Sequence, residues 1–156
     1  IANGISFLHG KDFAHLNIKP SNVLLTEEDF HAKLTDMNLI WTFLQPCERD
    51  HSVFTSPEVK RGTRFGVFLA SDIYSFGMVM WTMFKNEEPE SIEQMNENPL
   101  TEEECLDSSR LLELQQCCLN EDHEERPEIG EVIGVLNGIR IGDEGCIFIY
   151  HYFFKT

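Results

Sequence analysis

His15, Asn17, Lys19 and Asn22 fall within one stretch of eight residues, with Pro20 among them. Downstream stands Asp36. Asn17 is an amide and cannot accept a proton as a carboxylate does. Asn17 and Asn22 favour turns, and Pro20 forbids a regular helix or a central strand through the middle. The stretch is therefore a loop. Val23-Leu24-Leu25 follows as a short buried strand. A loop fixed at the mouth of a strand is a common seat for chemistry. Composition alone leaves two readings, an ordinary polar connection and a reactive loop. By itself, Asp36 reads as a capping or turn residue more readily than as a metal ligand.

The flanking segments must position these groups. Ile1, Ile5 and Leu8 have the spacing of an amphipathic helix, which Gly10 is placed to close as a left-handed C′ residue. Val23–Leu25 and His31–Thr35 read as two strands around the polar turn Thr26-Glu27-Glu28-Asp29. Residues 39–55, with Pro46, Arg49, Asp50 and Ser52, have no sustained period and read as a loop. Ile73 to Phe84 is apolar nearly all round, which marks a buried central helix. Ser71 and Asp72 suit its N-terminus. It is too short for a membrane span, and Asp72 stands at its head. Leu111, Leu114 and Cys118 mark another helix. Ile129, Val132, Ile133 and Leu136 give the last, with Pro127 as its first residue. The tail Cys146-Ile147-Phe148-Ile149-Tyr150-His151-Tyr152-Phe153-Phe154 is strand-like and aggregation-prone if exposed.

A chain of 156 residues is long enough for one domain with its own core. Its 42% hydrophobic and 25% charged residues are ordinary for a globular protein. The net charge of −15 argues against nucleic acid and anionic membrane as partners, since both need a positive face. Much of the acid lies between Lys85 and Arg110, from Glu87 to Asp107 with no base between. That run reads as a solvated surface. Cys47, Cys105, Cys117, Cys118 and Cys146 are odd in number and form no Cys-x-x-Cys, so neither a disulfide framework nor a zinc site is expected. Reduced thiols in a cytoplasmic protein fit best. The first residues, Ile1-Ala2-Asn3-Gly4, carry neither an initiator Met nor a signal-peptide layout. The chain therefore looks like a fragment or an incomplete gene product.

His15-Leu16-Asn17-Ile18-Lys19-Pro20-Ser21-Asn22 resembles the catalytic loop of protein kinases, H-R-D-L-K-P-x-N. His15, Lys19, Pro20 and Asn22 fall on the pattern. Leu16 stands in place of its arginine, and Asn17 in place of its catalytic aspartate. Asp36-Met37-Asn38 sits where the family has D-F-G. Thr55-Ser56-Pro57-Glu58 is close to A-P-E. Ser71-Asp72-Ile73-Tyr74-Ser75-Phe76-Gly77 resembles S-D-x-[WY]-S-x-G, and Leu119 to Pro127 resembles L-x-x-[DE]-x-x-x-R-P. Five such motifs in family order make coincidence an unsatisfactory account. The Ser56-Pro57-Glu58 variant leans toward the tyrosine-kinase-like group, such as receptor-interacting kinases.

The resemblance implies a mainly α fold, the larger C-terminal lobe of a kinase with a short β-hairpin at the catalytic loop. It covers residues 1–140 and leaves 141–156 as a tail to which it assigns no role. It implies that Asp72 binds the catalytic-loop backbone, that Glu58 pairs with Arg126, and that His15 is structural. Asn17, the degenerate base position, and Lys19 would stand at the reaction centre. Asn22 and Asp36 would hold magnesium and ATP, weakly at best, since these residues include no glycine-rich loop, strand lysine or paired helix glutamate. With Leu16 replacing the arginine, a phosphate on Thr42, Ser52 or Thr55 would lack its usual partner. Two functions are expected: a pseudokinase acting through protein partners, or an active serine/threonine kinase that tolerates Asn17.

Overall fold

The computed structural model describes residues 1–26, 31–37, 52–62, 68–105 and 109–139. Glu27, Glu28, Asp29, Asn38, Thr42 and the aromatic tail lie outside the described residues. The elements are α1 (Ala2–His9), β1 (Val23–Leu25), β2 (Ala32–Leu34), α2 (Pro57–Lys60), α3 (Phe68–Lys85), α4 (Ile92–Glu97), α5 (Ser109–Cys118) and α6 (Ile129–Asn137). The fold is mainly α with one antiparallel hairpin, in the register Val23↔Leu34, Leu24↔Lys33 and Leu25↔Ala32.

The apolar run of α3 organises the core. Ile73, Met78, Val79 and Trp81 are buried against Ile5, Ile18, Leu111, Cys118 and Val132. α3 packs on α5 and α1, and α6 closes on α1 and α5. A Cβ on Gly77 would lie 2.8 Å from the Cβ of Cys118, so this glycine sets how closely α3 and α5 cross. Among the described residues no helix is long and apolar enough to cross a membrane.

Three local expectations are corrected. α1 is not closed by Gly10, which is right-handed (φ −64). The N–H of Phe13 bonds the carbonyl of Leu8 and that of Asp12 the carbonyl of His9, a Schellman closure with Asp12 (φ 58) as its left-handed residue. Asp tolerates that conformation better than most side chains. Second, α3 begins before Ser71 and Asp72, which are buried within it and bond to distant segments instead of capping it. Third, Pro127 precedes α6, whose N-cap is Glu128. The Glu128 and Glu131 side chains form a reciprocal capping box there.

The acidic run is a surface, as its composition indicates. Glu87, Glu88, Glu90, Glu93, Glu97, Glu102 and Glu103 are exposed. Glu104 is half-buried and takes Lys85 Nζ at 2.7 Å. Ser91 caps α4 through the N–H of Gln94.

Candidate functional site

The loop at His15 is tied to the core by one carboxylate. Asp72 is fully buried in α3, and its oxygens accept the backbone N–H of His15 at 2.7 Å and of Leu16 at 2.8 Å. His9 Nε2 lies 3.0 Å from the same carboxylate, joining the end of α1 to it. Hydrogen bonds to an ionised acceptor are about twice as strong as neutral ones. They hold Leu16 at φ 58, a conformation that a bulky side chain adopts only when its surroundings impose it. His15 is buried behind the loop, and of the backbone groups around its ring that of Thr35 is the one that reaches it. Burial pushes its pKa down, against the pull of Asp72. The imidazole therefore stays neutral and acts as a packed ring.

Beyond this anchor the chain makes a single turn of 3₁₀ helix, Pro20–Asn22, with Pro20 at the first position where its missing N–H costs nothing. Asn22 is buried, and its Nδ2 donates to the carbonyl of Asn17 at 2.8 Å. Its own carbonyl accepts the N–H of Thr35 at 3.0 Å, which seats the end of β2 against the loop. Asn17 Nδ2 donates to the carbonyl of Asp36 at 2.9 Å. Asp36 is exposed and left-handed (φ 57). Asn17, Asn22 and Asp36 are thus brought together by backbone geometry. Lys19 is half-buried beside them. With Leu16, Asn17, Thr55 and Ser56 it lines a cleft that faces Ser75 of α3.

Among the described residues no group of three or more His, Cys, Asp or Glu could hold a metal ion. The donors at hand are one carboxylate, Asp36, and the Asn22 amide oxygen, which stays available because that amide bonds through its nitrogen. Such a pair suits magnesium carried by phosphates and water, not a metal caged by protein alone. β1 exposes Leu24 next to these donors, an apolar surface on the same hairpin.

A second assembly joins α2 to the turn before α6. Glu58 and Arg126, both buried, meet in a two-pronged pair at 2.7 and 2.9 Å. Arg126 also donates to the carbonyls of Asn120 and Ala70, and its guanidinium lies 5.1 Å from the centre of the Tyr74 ring. Ser71 donates to Glu58 at 2.8 Å. Burial raises the Glu58 pKa, but the bonds from Arg126 and the neighbouring N–H and hydroxyl groups outweigh it, leaving the value at about 2. Burial pushes Tyr74 up to about 12. Ser75 Oγ donates to the carbonyl of Phe54, which fixes the segment ahead of α2 over α3.

Sequence reasoning singled out Asp72 with the loop backbone and Glu58 with Arg126, but missed three further members. His9, Ser71 and Tyr74 complete the two networks. The spacing of Ser71 and Tyr74 within one turn of Asp72 is the only signal that pointed to them; His9 has none.

The protein kinase domain family matches residues 1–135. Receptor-interacting serine/threonine-protein kinase 1 of Homo sapiens is 31% identical over 107 residues, covering 57% of this chain and 16% of that protein. Dual specificity protein kinase shkC of Dictyostelium discoideum is 30% identical over 160 residues, covering 90% of this chain and 31% of that protein. Serine/threonine-protein kinase mos of Gallus gallus is 27% identical over 161 residues, covering 90% and 45%. The chain spans less than half the length of each of these relatives.

Proposed function

The chain belongs to the protein kinase family, and we propose that within it this is a catalytically impaired, pseudokinase-like domain that acts as a binding or signalling module through protein partners. One observation carries this reading. The position of the family's catalytic base is Asn17, whose amide points its N–H at the Asp36 carbonyl. An amide there cannot take the proton of a substrate hydroxyl. Loss of a general base typically costs ~10²–10⁴-fold in rate. The intact Asp72 and Glu58–Arg126 networks support a role that needs the shape and not the reaction. The excess of acid disfavours nucleic acid as a partner. Free thiols at Cys105, Cys117 and Cys118 suit a reduced, cytoplasmic setting.

ATP with magnesium is the ligand the site fits. Asn22 and Asp36 would hold the ion and Lys19 would meet phosphate. Binding is weak, because the ion is offered only one carboxylate, the exposed Asp36, and one amide oxygen. Bound there, the nucleotide would supply a transferable phosphoryl group. Lys19, Asn22 and Asp36 support a second reading, an active serine/threonine kinase, since phosphoryl transfer rests largely on positioning and charge. Transfer of labelled phosphate from magnesium–ATP to a protein substrate separates the two. The pseudokinase reading expects no signal above an Asp36→Ala blank; magnesium-dependent transfer that Asp36→Ala abolishes would establish the enzyme instead. Titration calorimetry should find weak magnesium–nucleotide affinity, and tight binding would refute that part.

A further inference from the structure

Between α3, α4 and α5 lies an open cavity of about 240 Å³. Trp81, Met95, Pro99, Leu100 and Leu119 give it apolar walls, and Gln115 sets an amide among them. Gln115 is only 4% exposed, and its amide makes no hydrogen bond among the described residues. A buried amide without a partner is costly. An apolar cavity of about 150 Å³ already takes a benzene-sized ring. This one therefore has room for an aromatic side chain, and its amide suits a ring with a polar tip. Tyrosine is that side chain.

The sequence holds tyrosines within reach. Phe148, Tyr150, Tyr152 and Phe154 are spaced two apart, so in an extended chain they share one face. α6 ends beside the start of α5, where the Gly138 carbonyl accepts Arg110 at 3.5 Å. Gln115 lies five residues further along α5, ~8 Å by helical rise. The ten residues between Ile139 and Tyr150 can span ~35 Å. Charge agrees as well. Residues 145–156 carry Lys155 and no acid, whereas Glu93, Glu97, Glu102 and Glu103 are exposed on the segments that supply Met95 and Leu100.

We propose that the aromatic tail docks back on its own domain, seating Tyr150 or Tyr152 in this cavity with the hydroxyl on the Gln115 amide. The tail is then an intramolecular strap over α3, α4 and α5, and a run that would aggregate if exposed is covered. The strap needs neither nucleotide nor the chemistry at Asn17, so it stands apart from the function proposed above.

Nuclear magnetic resonance on the whole chain, with methionine methyls and tyrosine rings labelled, tests it. Nuclear Overhauser cross-peaks should link the Met95 methyl to a tyrosine other than Tyr74. Replacing both tail tyrosines, Tyr150→Ala with Tyr152→Ala, should abolish them and move the Met95 signal while Met78 in the core stays put. Gln115→Leu should lower the ratio of docked to free tail about 2–10-fold by relaxation dispersion, the effect of one net hydrogen bond. If one variant does not fold, the other and the wild-type cross-peaks carry the test. In a mixture of chains labelled at methionine only and at tyrosine only, the cross-peaks should vanish, because both ends belong to one chain. Cross-peaks that persist in the mixture would put the tail on a second copy. That result, the absence of cross-peaks from the wild type, or a docked fraction unmoved by Gln115→Leu would overturn the strap.

Discussion

The two polar assemblies of this molecule are built on opposite terms. Around Glu58 and Arg126, charges are buried, paired and hydrogen-bonded on nearly every side, and the residue types are those of the family pattern. Around Asn17 and Asp36 the groups are open to solvent, and the family's base is replaced. Both are held by α3, one through Ser71 and Tyr74 and the other through Asp72. The difference teaches that shape and chemistry have separate supports. The buried assembly sets the fold's stability, and the open one can change its chemistry without unfolding the chain.

The largest expected effect lies in the buried assembly. Arg126→Ala should cost ~3–5 kcal/mol in urea unfolding, because Glu58 is left charged and buried. Next comes the tether between the two regions. Asp72→Asn keeps one acceptor and sets its amide N–H2 against the other of the two backbone N–H groups, and leaving such a group unsatisfied costs ~1–3 kcal/mol. It should also accelerate hydrogen exchange at His15 and Leu16, whereas Arg126→Ala in mild conditions should not act there first. Gly77→Ala, which touches neither assembly, should cost ~1–3 kcal/mol by forcing α3 and α5 apart. Lys11→Ala loses only an exposed cation over the Phe7 ring, at 5.3 Å, and should cost ~0.5–1 kcal/mol.

Acid should take the two regions apart in order. Burial lowers the His15 pKa from its ordinary 6.5, so the unfolded chain takes that proton first and stability begins to fall as pH drops below 6.5. Glu58 is held at about 2 against an ordinary 4.5. Its contribution is complete above that ordinary value and is lost as pH falls toward 2. Unfolding midpoints measured from neutral pH downward should therefore decline in two steps. His15→Leu should flatten the upper step and Arg126→Ala the lower. Reversal of those assignments would break the comparison.

The loop and hairpin were legible because their residue types act locally: Asn17, Pro20 and Asn22 dictate a turn, and Val23-Leu24-Leu25 a strand. The central helix was legible from its apolar run. Its start was not, because Ser71 and Asp72 look like caps in one dimension and spend their hydrogen bonds on segments far away. Gly10 misled for a related reason, since Asp12 can take the left-handed turn that glycine usually takes. The pairing of Glu58 with Arg126 across 68 positions is invisible to periodicity and came only from the family resemblance. His9 escaped both routes, as its role depends on where the end of α1 lands against α3.

The most direct test of the central claim is a pair of double-mutant cycles measured by urea unfolding. Glu58→Gln with Arg126→Met should give a coupling energy of about 2–3 kcal/mol, as for contacting residues in one network. Asn17→Ala with Arg126→Met should be additive within ~0.5 kcal/mol, as for independent sites. A Glu58–Arg126 coupling under ~1 kcal/mol, typical of an exposed pair, or a strong coupling between Asn17 and Arg126, would contradict the account.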